Sequence, residues 1–180
     1  MLGTVALALL VGAALAGGRL LDLREGTLSY TVVHKLHEVH GTTSQVEGRA
    51  LLHEGGAGRV QVRAKVASFD SGNSNRDVHM REVTHEGAHP YATVKGTIDS
   101  VALPLSTPRE VMLHAVVELN GEKQSVEVPL KLDPAGTGVR AKFSFAVSLE
   151  AFKVERPQLL FVKVDDRVVI DGDLLFEPAK

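Results

Sequence analysis

His85-Glu86-Gly87-Ala88-His89 carries the pattern H-E-x-x-H. On a helix this spacing puts two imidazoles on one face, able to bind one zinc ion, with the glutamate placed as general base. The neighbouring residues work against that helix. Gly87 weakens it, and Pro90 drives His89 toward extended geometry. The residues after Pro90 alternate like a strand and bring no third ligand, so the pattern reads as a loop. His34, His37 and His40 form a second group. On a strand His34 and His40 share one face while His37 takes the other, so the three cannot converge on one ion. The metal-based alternative is a site joining His34 or His40 to His79 or His85 across one end of the molecule. That would make the chain a metal-binding protein or a metal-dependent enzyme.

Arg76, Asp77 and Arg81 have the charges to hold a lipid head group. Asp77 and Arg81 also stand four residues apart, where a helix would pair them locally for about 0.3 kcal/mol. The local ion pair is the preferred reading. Gly55-Gly56-Ala57-Gly58 precedes a strand and lacks the lysine of a phosphate-binding loop. Serine neighbourhoods are ordinary strand or turn contexts, so no catalytic residue is assigned and no enzyme activity is expected. The chain has no cysteine, which excludes disulfides and thiolate chemistry. A net charge of −2, only 4% aromatic residues and no tryptophan argue against a nucleic-acid partner.

The candidate residues are positioned by a chain of alternating strands. Met1 to Ala16 is uncharged and apolar and ends in Ala14-Leu15-Ala16. This reads as a cleaved signal peptide, with a linker over 17–26 and a single domain over 27–180. The expected location is therefore periplasmic or secreted, with no stable membrane span after cleavage. From Gly26 onward the apolar period is two. Leu28, Tyr30 and Val32 share a face, as do Val46, Gly48, Ala50 and Leu52, then Val60, Val62, Ala64 and Val66. The pattern resumes in Ala92–Ile98, Val111–Leu119, Val126–Leu132, Val139–Leu149 and a last strand over Arg167–Phe176. Asn120-Gly121 is a hairpin signal, and Pro129, on the outer parity, suggests an edge or bulge.

One stretch interrupts the strands. In Phe69-Asp70-Ser71-Gly72-Asn73-Ser74-Asn75-Arg76-Asp77-Val78-His79-Met80-Arg81, turn residues lead into a short helix that Asn73 or Ser74 can cap. It is expected to close one end of the fold over a ligand cavity. About eight apolar faces with no long helix to cover them are most simply buried by closing the sheet into a barrel. Small inward residues such as Gly48, Ala50, Ala64, Gly96, Ala115 and Ala141 predict unfilled apolar volume inside it.

Ser68-Phe69-Asp70-Ser71-Gly72-Asn73, with Arg76-Asp77 and His79-Met80-Arg81, resembles the signature of the YceI-like family of secreted lipocalin-like proteins. Tyr30-Thr31-Val32-Val33-His34, His89-Pro90-Tyr91-Ala92-Thr93-Val94-Lys95, the Leu119–Leu130 hairpin and Phe143–Phe152 are similar to other parts of its pattern. The chain departs from it at Val83-Thr84-His85, where relatives place an aromatic pair. The resemblance implies an all-β, eight-stranded antiparallel lipocalin-like barrel with a short helical insertion. It also implies a long apolar cavity for a polyisoprenoid, quinone or other fatty-chain lipid, held for transport or storage, commonly in a homodimer. No cofactor is required beyond such a bound lipid. On this reading the candidate ligand contacts are Tyr30, Val32, His34, Phe69, His79, Met80, Val94, Phe143, Phe145 and Phe152.

Overall fold

Among the described residues the alternation becomes eleven strands: β1 (Gly18–His34), β2 (His37–Thr43), β3 (Val46–His53), β4 (Gly56–Lys65), β5 (Tyr91–Ile98), β6 (Arg109–Leu119), β7 (Glu122–Ala135), β8 (Gly138–Ser148), β9 (Gln158–Leu159), β10 (Val162–Lys163) and β11 (Arg167–Pro178). Among the described residues one helix, α1 (Ser74–Val83), follows β4, and single 3-10 turns occupy Val66–Ser68 and Glu150–Phe152. The structure is a computed structural model describing residues 18–180 apart from 35, 36, 157, 160 and 161. The expected signal peptide lies outside the described residues.

Each barrel strand runs antiparallel to its neighbours, and β11 pairs with both β8 and β1, closing the sheet. β2 and β3 line the same edge of β1 in one register, Leu28 opposite Thr43 and Gly18 opposite His53. They act as one bent stave, so the closed barrel has eight strands, as expected. Closure removes the bare edges that an open sheet would expose.

The expected linker over 17–26 is corrected over Gly18–Gly26, which is strand paired to β3 and β11. An extra residue at Arg24, where the β1–β11 register shifts between Leu23 and Glu25, reverses the side-chain parity. Leu21 and Leu23 therefore pack with the same core as Leu28, although they sit on the opposite parity.

At the end where β1 begins, Leu21, Leu52, Ile98, Leu113, Leu132 and Phe176 pack together. Val101 and Leu105 from the β5–β6 connection join them and plug that end. The expected tunnel is corrected here: this lower half is solid. Beside some wall glycines the space is taken by side chains from neighbouring strands. A methyl added at Gly41 would strike the Tyr30 ring, one at Gly172 the Phe143 ring, and one at Gly26 the Leu174 side chain. Glycine here lets a large neighbour lie flat on the wall.

Pro129 stands inside β7, in continuous register with β6 (Met112 opposite Pro129). On its other side the β7–β8 ladder ends at Leu130 opposite Phe143. The proline has no N–H to continue that ladder. The sequence expectation of an edge holds on one side of the strand only.

Candidate functional site: the lidded end of the barrel

The other end of the barrel lies under the segment between β4 and β5. Its local structure comes from its turn residues. Asp70 Oδ1 accepts from Gly72 N at 2.7 Å, closing a turn in which Gly72 takes a φ of 73°. Asn73 then caps α1, its Oδ1 accepting from Arg76 N at 3.1 Å. Asp77, in the first turn, accepts from both Ser71 N (3.1 Å) and Ser71 Oγ (2.5 Å). Arg76 grips the same serine, Nε donating to Oγ at 2.9 Å and Nη2 to the carbonyl at 2.6 Å. The expected Asp77–Arg81 ion pair does not form. Asp77 is turned toward Ser71, and Arg81 Nε donates to the Asp77 carbonyl instead at 3.2 Å.

This segment crosses the barrel end and is fixed on opposite sides. On β2, Thr42 and Asp70 exchange two backbone hydrogen bonds, 2.9 and 3.0 Å, and Thr43 Oγ1 lies 2.7 Å from Ser68 Oγ. Beyond α1, His85 Nδ1 meets Asn120 Oδ1 at 2.7 Å in the β6–β7 turn. Asn120 Nδ2 donates to the Phe152 carbonyl at 2.9 Å, which makes Oδ1 the acceptor and His85 Nδ1 the donor. His89 packs on Gly121 of the same turn. The two histidines of H-E-x-x-H thus clasp a hairpin.

Beneath the lid a second apolar cluster centres on Val117, Val147, Phe152, Val154 and Val168. Tyr30, Val32, Val83, Val94, Val126, Phe145 and Ile170 pack against it yet stay only half-buried. These apolar side chains keep part of their surface accessible. Tyr30 sits at its rim, its ring 5.6 Å from that of Phe69 and its hydroxyl within hydrogen-bonding reach of Ser71. Burial of the phenol raises its pKa above the usual value; the Asp77 and Asp70 charges add to that rise, and Arg76 and the Ser71 hydrogen bond oppose it.

The expected ligand contacts divide into groups. Tyr30, Val32, Val94 and Phe145 meet in the upper barrel, with Phe69 on Tyr30. Phe143 lies one layer down, its ring 6.0 Å from that of Phe145. Phe152 is wholly buried and acts as a plug of the cluster. His79 is exposed on α1, 3.7 Å from Glu82, and Met80 is half-buried outside both apolar clusters. The His34 side chain lies outside the described residues. Sequence reasoning missed Ser71, the hub of the lid, and Ile170, which sits across from Phe145. It read Asn120 only as a turn residue, whereas its side chain ties the lid to the Phe152 turn.

Among the concavities of the surface are two of different size. One of about 380 Å³ lies on the flank of α1 against Val78, Arg81, Glu82, His85, Glu86 and Gly87. Its charged lining does not suit an alkyl chain. The other, about 20 Å³, lies by Arg19, Leu52, Glu54, Val101 and Leu103, with room for about one water. Among the described residues no group of three or more His, Asp or Glu could hold a metal ion. No helix among them is long and apolar enough to cross a membrane.

A closed eight-stranded barrel with an apolar upper half under a tied-down helical segment defines the class: a lipocalin-like barrel. The chain belongs to the YceI-like domain family, whose model matches residues 20–176. The fold is shared with a structure described as a polyisoprenoid binding domain from Saccharophagus degradans implicated in plant cell wall breakdown. That match has a TM-score of 0.73 at 17% identity and covers 88% of this chain and 98% of that one. It is shared also with Burkholderia cenocepacia BcnA, with a TM-score of 0.68 at 18% identity, over 83% of this chain and 95% of that one. No curated protein matches the chain by sequence.

Proposed function

We propose that the protein is exported to the periplasm or beyond, and there holds the end of a long apolar chain in the upper half of its barrel. The chain belongs to a polyisoprenoid, a quinone or a fatty-chain lipid, held for transport or storage without catalysis. One observation carries this reading: Tyr30, Val32, Val94, Phe145 and Ile170 face inward under the lid yet remain only half-buried. Each methylene that covers such surface contributes about 0.8 kcal/mol, so a long chain binds tightly with few polar contacts. The shared fold with the Saccharophagus degradans polyisoprenoid binding domain supports the reading, as does the apolar run over residues 1–16.

The test is organic extraction and mass spectrometry of protein recovered from the periplasm. A long-chain lipid near one per barrel is expected. Protein that comes out lipid-free and then takes up neither prenyl quinones nor fatty amides would refute it.

A further inference from the structure

We infer that the lipid chain passes in and out sideways, through the wall between β7 and β8, rather than past the lid. This rests on the binding reading above and adds its route. Above Leu130–Phe143 the two strands run on as Glu122–Pro129 and Ser144–Ser148 with no ladder between them. β7 remains bonded to β6 there, and β8 to β11, so each side of the seam is held from behind. Inward side chains beside the seam, Val126, Phe143 and Phe145, are half-buried and apolar.

The alternatives are better closed. The lid is bonded to β2 by a backbone pair and a hydroxyl pair, and to the β6–β7 turn through His85. The opposite end is plugged by Val101 and Leu105. A second unpaired stretch lies between β1 and β3, over 23–27 and 44–48. It is pinned at both ends by ladder in a single register, Leu28 to Thr43 and Asp22 to Arg49. Widening it would break two ladders.

The β7–β8 seam has ladder at one end only. Its other end is held by side chains: Ser148 N donates to Gln124 Oε1 at 3.3 Å, Lys153 Nζ sits 2.7 Å from Glu122, and Asn120 holds the Phe152 carbonyl. Each contributes modestly and can break singly, whereas ladder bonds open cooperatively. Because the lower half of the barrel is solid, a chain longer than the upper half must emerge somewhere. The seam is where the wall yields at least cost.

Continuing the register of Leu130 and Phe143 sets Glu127 opposite Ala146, both on outward parity. Glu127→Cys with Ala146→Cys, joined by a short bis-maleimide, clamps the seam without altering the interior. The chain has no cysteine of its own to interfere. Lys131→Cys with Lys142→Cys, facing each other in the existing ladder, clamps the same two strands below it. Uptake of a long-chain prenyl quinone from phosphatidylcholine vesicles is tracked by timed separation and mass spectrometry. Clamping the seam is expected to slow uptake about tenfold, while the lower clamp changes the rate by less than about twofold. Pro129→Thr, which restores an N–H for the ladder, is expected to slow uptake in the same direction without any cross-linker. Equal rates in the two clamped proteins overturn the portal and leave the binding reading standing. If the unclamped protein takes up no quinone, the binding reading falls and the portal with it.

Discussion

Truncating Phe152 tests whether the apolar cluster beneath the lid is a packed plug. The ring is wholly buried against Val117, Val147, Val154 and Val168. Phe→Ala at such a site removes about 3–5 kcal/mol, transfer and cavity together. The unladdered seam alongside lets neighbours relax into the space, which favours the low end, about 3 kcal/mol. With a urea m-value of about 2 kcal/mol/M, the midpoint of Phe152→Ala falls by about 1.5 M. At about 3 °C per kcal/mol for a chain of this size, its Tm falls by about 9 °C. Val78→Ala on α1, where the side chain is 44% exposed, serves as the reference and stays within about 0.5 kcal/mol. The assay is equilibrium urea unfolding monitored by circular dichroism and tyrosine fluorescence, with coincident transitions required before free energies are compared. A Phe152→Ala midpoint indistinguishable from that of Val78→Ala would refute the plug.

The upper barrel leads to two further expected outcomes. Because the Tyr30 pKa is raised, the folded state keeps its proton where the unfolded chain has lost it, so stability is full below pH about 10 and falls as pH rises through the folded value. Tyr30→Phe is expected to flatten that alkaline decline in urea midpoints, and an unchanged slope would discount the shift. Gly172→Ala drives a methyl into the Phe143 ring and swings it off the wall into the barrel, at about 1–3 kcal/mol. Loading with prenyl quinone should drop alongside stability, and full loading would show that the ring's place on the wall does not matter for binding.

Much of the barrel was legible because period-two alternation is local, and nearly every inward face from Leu28 to Phe176 was readable that way. Asn73 as cap and Asn120-Gly121 as a turn were equally legible; both turn residues take positive φ, 53° and 74°. What failed depended on register between strands. The bulge at Arg24 reverses parity, so Leu21 and Leu23 looked out of phase with Leu28 and the strand's first half read as a linker. Gly48 and Gly96 read as empty volume, whereas Val62 and Leu113, from the strands alongside, come within 3.1 and 2.9 Å of where a methyl there would sit. The lid was legible as a capping segment, but Asp77 found Ser71 rather than Arg81 because Gly72 folds the turn back on the helix.

The first described strand and the last close the barrel, with Leu21 opposite Pro178 and Val32 opposite Val168. The wall therefore cannot be completed until nearly the whole chain has left the ribosome. A product cut short before Arg167 leaves β1 and β8 without the strand that joins them, two open templates for other strands. Premature termination is expected to yield sticky, protease-sensitive fragments rather than a smaller working barrel.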